Sequence, residues 1–119
     1  MRVVLDDKTP IFQQIYEMIE DDIVDGELQA GDQIISTTEI SKFYQVNRAT
    51  AQKGIQLLVE RGYAYKQRGV GIFVADGAAE KIIKTRKEAF HEEYIKPLLE
   101  ESKRLKMTKA ELIQLIEED

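Results

Sequence analysis

Two short strand-like segments, joined by a turn that contains two glycines, limit what this chain can fold into. Residues 63–67, YAYKQ, alternate as a β-strand does, RGVG is typical of a hairpin turn, and IFVA indicates a second strand. A two-stranded hairpin of this size is marginal in water by itself, so it has to pack against other elements. Because the rest of the chain carries mostly helical patterns, the sequence predicts a mostly α-helical fold with a small β-hairpin (an α+β fold).

The first helix is predicted within TPIFQQIYEMIEDDIVDG. Isoleucine recurs every four residues from Ile11 onward, which gives the helix one apolar face. Pro10 suits the first helical position behind a Thr9 cap, and Gly26 suits a helix end. A turn at residues 30–32 then predicts a short extended segment before the next helix.

Two shorter helices follow, and each begins with a capping signal. Ser36 and Glu39 form a capping box in STTEISKFY, where Ile40 and Phe43 give an apolar side. Asn47 caps the next helix, RATAQKGIQLLVER, after a tight turn. Two helices joined in this way and followed by a small hairpin make a winged helix-turn-helix.

Residues 77–119 are predicted to form a helical tail after the winged helix-turn-helix of residues 1–76. The tail has a long helix, which the internal Pro97 should kink or briefly break, and a short helix with a Thr108–Glu111 capping box. Its apolar face comprises Ile83, Phe90, Tyr94, Leu98, Leu105, Leu112 and Ile116. A helical pair this apolar cannot bury that face alone, so it needs either its own main domain or a second copy of the chain.

Acidic and basic residues are separated along the chain. The net charge is −5, yet residues 42–68 hold six bases against the single acid Glu60, whereas residues 11–32 hold seven acids and no base. An acidic balance argues against indiscriminate nucleic-acid binding, but a local basic patch is suited to DNA phosphates. The charge pattern therefore predicts one cationic DNA-binding surface, with the acidic remainder facing away.

The helix that Asn47 caps, called the recognition helix below, would enter a major groove with its first residues toward the base edges. Arg48 matches guanine and Gln52 matches adenine in hydrogen-bonding geometry. The start of the preceding helix suits a phosphate, and the two hairpin glycines would let this wing approach the DNA backbone closely; a role in the turn alone is an equal alternative for them. The candidate DNA-binding residues are Ser36, Thr37, Thr38, Asn47, Arg48, Ala49, Gln52, Lys53, Lys66, Arg68, Gly69 and Gly71.

The ordered set of motifs in residues 9–75 resembles the DNA-binding domain of the GntR family of bacterial transcription regulators. The resemblance rests on PIFQQI in the first helix, GELQAGD after it, the Ser36–Glu39 helix start, VNRATAQKGIQLLVERG and GVGIFV. Each motif alone is weak, whereas their order and spacing together are specific. The resemblance implies a winged helix-turn-helix that binds DNA.

Some positions of the chain follow the family pattern and others depart from it. Arg48 and Thr50 follow the pattern, which adds Thr50 to the candidate DNA-binding residues. Ile35, Thr38 and Gln52 stand where family members commonly carry a proline and two arginines. The resemblance therefore implies the architecture, and the operator sequence is not carried over with it.

The short helical tail is similar to that of the YtrA-like subfamily, whose members carry a two-helix dimerisation unit in place of a large ligand-binding domain. This resemblance implies a homodimer that binds double-stranded DNA at a palindromic operator, usually as a repressor. The apolar tail residues named above would then form the dimer interface. The sequence identifies no small-molecule effector.

The composition argues against several other classes of protein. There is no cysteine and one histidine, and no phosphate-loop or metal-ligand spacing occurs, so neither an enzyme nor a cofactor is expected. The first ten residues carry acids where an export signal would continue apolar, and no apolar run is long enough to span a membrane, so a cytoplasmic location is expected. The remaining alternative is a winged-helix adaptor that binds proteins, which the basic patch disfavours.

Overall fold

The computed structural model describes residues 4–119 and confirms a mostly helical fold with a winged helix-turn-helix and a helical C-terminal region. Residues 1–3, part of the predicted domain 1–76 and of the segment judged for an export signal, lie outside the described residues. The elements are α1 Ile11–Val24, α2 Thr37–Tyr44, α3 Arg48–Glu60, β1 Ala64–Gln67, β2 Gly71–Val74, α4 Ala78–Phe90, α5 Lys96–Arg104 and α6 Lys109–Glu117. The chain divides into two compact units, Met1–Ile83 and Lys84–Asp119.

The core of the first unit is built on α1, whose isoleucines face inward as predicted. Ile15, Ile19 and Ile23 are buried together with apolar residues of α2, α3, the hairpin and the first turns of α4. The recognition helix α3 packs directly on α1 because Gly54 has no side chain: a Cβ there would lie 2.7 Å from the carbonyl oxygen of Phe12. The two helix backbones therefore approach each other closely.

A buried glutamine holds the segment before α1, and the predicted Thr9 cap is wrong. The residue that precedes the helix is Pro10, and no side chain caps it. Gln14 donates to the carbonyls of Asp6 and Thr9, at 2.8 Å each, and accepts from the Asp6 amide at 3.0 Å. The buried Gln14 amide thus ties this segment to α1, which is the task expected of a cap.

Both predicted caps of the helix-turn-helix are confirmed, whereas the apolar side of α2 needs correction. Ser36 caps α2 in a capping box, and Asn47 caps α3. Phe43 is 60% exposed, and Tyr44 instead packs inward and donates a hydrogen bond to a methionine sulfur of α1 at 3.0 Å. Tyr44 lies four residues after the buried Ile40, so these two share a helix face and Phe43 is rotated away from the core.

The hairpin gains a third, short strand segment from the chain before α2. β1 and β2 pair antiparallel, and the rings of Tyr65 and Phe73 stack with centroids 5.8 Å apart. Residues 32–34, the predicted extended segment, pair with β2, where the Ile34 amide donates to the Ile72 carbonyl at 2.8 Å. The wing and the residues leading into α2 are therefore hydrogen-bonded to each other.

The helical tail shows the predicted interruption near Pro97. Residues His91–Ile95 form a π-helical turn between α4 and α5, and the Lys96 amide donates to the His91 carbonyl. Because Pro97 has no N–H and its ring crowds the carbonyl four residues earlier, a wider turn accommodates it. The Thr108–Glu111 capping box of α6 is confirmed. Within residues 4–119, no helix combines the length and the apolar character needed to cross a membrane.

Candidate nucleic-acid interface

One side of α3 is open to solvent from its first turn onward. This open side is formed by Arg48, Ala49, Gln52, Lys53 and Gln56. At 3.6 residues per turn, Ala49, Gln52, Lys53 and Gln56 point away from the buried residues of α3, whereas Arg48 is exposed because it is the first residue of the helix. The Asn47 side chain accepts the Ala49 amide hydrogen at 2.7 Å and so completes the first turn. The open side is the part of the helix that a DNA groove can reach.

The start of α2 presents backbone amides beside small hydroxyl side chains. Ser36 Oγ accepts the Glu39 amide hydrogen at 3.1 Å, and Glu39 Oε1 accepts the Ser36 amide hydrogen at 3.4 Å. Thr38 is exposed, and Thr37 is half-buried. The cap uses the Ser36 hydroxyl as an acceptor, so its proton is suited to a phosphate oxygen.

Both glycines of the wing have a structural reason to be glycine. Gly69 has a φ of 76° in a turn that the Val70 amide closes by donating, at 2.9 Å, to the carbonyl three residues earlier. Gly71 has a φ of 154°, and a Cβ there would collide with the side-chain amide of Gln33, which donates to the Val70 carbonyl at 3.3 Å. A role of these glycines in the turn is therefore supported, and their contact with DNA stays a prediction.

The three predicted DNA-contacting segments belong to one compact unit. The start of α2 follows residues 32–34, which are hydrogen-bonded to β2, and α3 packs on α2 and β1. Lys66 and Arg68 are exposed on the wing, and Thr50 is half-buried in α3. The predicted residues are thus carried by elements that pack on one another.

Two bases of the basic segment contact aromatic rings of α1 while remaining exposed to solvent, which the sequence did not predict. Arg61 Nη1 donates to Tyr16 Oη at 2.7 Å with its guanidinium 4.8 Å from the ring centroid, and Lys53 Nζ lies 4.0 Å from the centroid of the Phe12 ring. Burial raises the pKa of the Tyr16 hydroxyl and its hydrogen bond to Glu20 raises it further, while the hydrogen bond that Arg61 donates to Tyr16 raises the pKa of the Arg61 guanidinium. A tyrosine on a buried helix face needs a partner for its hydroxyl, and that was the available signal.

The predicted dimerisation residues are mostly exposed in the single chain. Leu112 is 8% exposed, so it is already buried without a partner. The other six are exposed, namely Ile83, Phe90, Tyr94, Leu98, Leu105 and Ile116. The Phe90 and Tyr94 rings lie 5.5 Å apart, on either side of the start of the π-helical turn.

Comparison with known proteins matches both parts of this architecture. A model of the bacterial regulatory proteins of the gntR family matches residues 11–74, more than half of the chain. YhcF of Bacillus subtilis, an uncharacterized HTH-type transcriptional regulator, is 30% identical over 105 residues, which cover 88% of this chain and 85% of YhcF. YurK of the same organism, another uncharacterized HTH-type transcriptional regulator, is 38% identical over 66 residues, 56% of this chain. The chain spans between 18% and 30% of the length of YurK and of two relatives named as transcriptional repressors.

Solved structures resemble both the whole chain and its first unit. A GntR family transcriptional regulator from Listeria monocytogenes has a TM-score of 0.76 at 26% identity and covers 97% of this chain and 99% of its own. The AraR DNA-binding domain in complex with operator ORX1 has a TM-score of 0.58 at 29% identity, over 63% of this chain and 96% of that domain. YtrA from Sulfolobus acidocaldarius has a TM-score of 0.56 over 99% of this chain and 94% of its own, and at 24% identity it is similar in fold alone.

Proposed function

This chain belongs to the gntR family of bacterial regulatory proteins, and from that premise we propose that it is a sequence-specific DNA-binding regulator of transcription. It acts in the bacterial cytoplasm as a homodimeric repressor on a palindromic operator. The observation that carries the proposal is the open side of α3, which begins at a capped turn and presents Arg48, Ala49 and Gln52. The likeness to an operator-bound AraR domain and to relatives named as repressors supports it.

Each part of the proposed interface has its own task. Arg48 donates two hydrogen bonds to a guanine and Gln52 pairs with an adenine, and each pair contributes about 1–3 kcal/mol of discrimination. Ala49 contacts a thymine methyl group. Ser36 at the start of α2 and Arg68 in the wing bind phosphates, which fixes the register of α3 in the groove without reading sequence.

Selection of bound DNA from a random pool tests the proposal. We expect a palindrome whose half-sites lie about one helical turn, roughly 34–36 Å, apart, and binding that weakens steeply with salt as counterions are released. Arg48→Ala should relax preference at one base position by about 1–3 kcal/mol. Lys103→Ala, which removes the same charge from the exposed surface of α5, should not. An unselective pool with salt-insensitive binding would reject DNA recognition and favour the adaptor.

The exposed apolar side chains of the tail support assembly with a second copy of the chain. Leu98 and Ile116 remain in contact with solvent in the single chain, and α6 has nine residues, a length at which an isolated helix is marginal. We therefore propose that the tail is a YtrA-like dimerisation unit, and the fold likeness to YtrA is consistent with this.

A matched pair of charge substitutions tests the dimer. Ile116→Glu adds a carboxylate to the proposed interface, whereas Gln114→Glu adds one to the opposite side of the same helix. Sedimentation analysis should find a monomer for Ile116→Glu and a dimer for Gln114→Glu. If both variants were dimers, or both were monomers, this face of α6 would not be the interface.

A further inference from the structure

We propose that Arg61 is a positioning residue, which orients the recognition helix on α1 through Tyr16 and supports DNA affinity without touching DNA. The inference rests on the proposed DNA-binding function and deepens it. It assigns a role to a base that the charge pattern alone would place among the phosphate contacts.

The geometry of Arg61 directs it away from a DNA surface. Arg61 is the residue at which α3 ends, and its side chain meets α1, where Nη1 donates to Tyr16 Oη at 2.7 Å. The guanidinium also lies 4.8 Å from the centroid of the same ring, close enough for a cation–π contact. Tyr16 is 5% exposed and Glu20 is 9% exposed, whereas Arg61 is exposed to solvent, so Arg61 reaches from the surface to a tyrosine hydroxyl on a buried helix face.

Two contacts add to the apolar packing that holds the recognition helix on α1. The first is the close approach of Gly54, in the middle of α3, to the Phe12 carbonyl. The second is the hydrogen bond that Arg61 donates to Tyr16, seven residues further along, which attaches the end of α3 to α1 as well. Arg48 lies roughly 20 Å from Arg61 along the helix axis at 1.5 Å per residue. A small change of angle at the Arg61 end therefore displaces the base-reading end.

A phosphate-binding arginine and a positioning arginine give different results in the full-length protein. If Arg61 positions α3, Arg61→Ala and Tyr16→Phe each weaken binding to the selected operator by a similar factor, roughly tenfold for the loss of one hydrogen bond to a charged group. The double variant loses less affinity than the sum of the two single variants, because both remove the bond between Arg61 and Tyr16. The slope of log affinity against log salt stays that of the parent, whereas loss of a phosphate contact lowers it by about one.

Fluorescence anisotropy titrations at several salt concentrations provide this measurement, with circular dichroism to confirm folding. Tyr16→Phe keeps the ring and removes one hydroxyl, so it carries the test should Arg61→Ala unfold. A lowered salt slope in Arg61→Ala with parental affinity in Tyr16→Phe would overturn the inference, and so would a fall in melting temperature with unchanged affinity. A parent that binds no selected DNA would reject the proposed function itself, which is a separate result.

Discussion

Replacing Gly54 by alanine tests the close contact on which the recognition helix rests. In an exposed helix interior, Gly→Ala stabilises a protein by about 1 kcal/mol, because alanine has the higher helix propensity. Here the new Cβ would lie 2.7 Å from the Phe12 carbonyl oxygen and 3.0 Å from Ile15 Cγ2. Favourable contacts between carbon atoms fall near 3.5–4.0 Å. The closest atom belongs to the backbone, so a side-chain rotation cannot relieve the overlap and one helix has to shift.

The structure therefore predicts that Gly54→Ala destabilises the protein, whereas the same substitution in an exposed helix interior stabilises it. Overpacking costs about 1–3 kcal/mol, and the gain in helix propensity offsets part of it. Because the closest contact is with backbone, we take the upper part of the overpacking range, about 2–3 kcal/mol, and after the gain of about 1 kcal/mol expect Gly54→Ala to lower the free energy of unfolding by about 1–2 kcal/mol. Each kcal/mol corresponds to a fall in melting temperature of about 4–8 °C for a domain of this size.

Thermal and urea denaturation followed by circular dichroism would measure the change. Gln56→Ala is the matched control, because Gln56 lies on the open side of the same helix, and its effect should remain within about 0.5 kcal/mol. If Gly54→Ala were as stable as the parent or more stable, α1 and α3 would not be in backbone contact at this point. The role that we propose for Arg61 in orienting α3 on α1 would then lose part of its support.

Three further perturbations follow from the same structure. Ser36→Ala should cost about 1 kcal/mol of stability, whereas Ser36→Asp should keep the cap and instead weaken operator binding, because its charge repels phosphate; chemical denaturation and anisotropy separate the two. Gly71→Ala should destabilise the protein by roughly 1 kcal/mol because of the positive φ of Gly71. The collision with Gln33 should add to this loss of stability, and a double-mutant cycle should show a smaller loss in a Gln33→Ala background, where the collision is absent. Hydrogen bonds from the backbone amide and the hydroxyl of Thr108 lower the pKa of Glu111, so their stabilisation of α6 is complete above the ordinary glutamate pKa and is lost as the pH falls through the lowered value. An acid titration followed by NMR should show that dependence, and Thr108→Ala, which removes the hydroxyl and keeps the amide, should reduce it.

The features that were predicted correctly from the sequence are those that depend on residues close to one another in the chain. The caps at Ser36 and Asn47, the glycine turn of the wing and the interruption near Pro97 each depend on residues within a few positions of one another. Patterns of this length are visible in a single sequence because the hydrogen bonds that they encode are local. The open side of α3 was predictable for a related reason, since it is the complement of the apolar stripe.

What the sequence could not predict depends on distant contacts or on a small rotation. Arg61 binds a residue 45 positions away, so its charge was counted without its partner. Phe43 and Tyr44 both fit a helical spacing from Ile40, and only the packing of α2 against α1 decides between them. Gln14 replaced the Thr9 cap for the same reason, because its burial follows from the whole core.

The junction between the wing sheet and α2 allows no change of length. Ile35 alone separates Ile34, which is hydrogen-bonded to β2, from Ser36, which caps α2. One inserted residue there would either break the pairing of residues 32–34 with β2 or move Ser36 away from the position at which it caps α2. In the evolution of this chain, insertions and deletions should therefore be removed by selection at the junction.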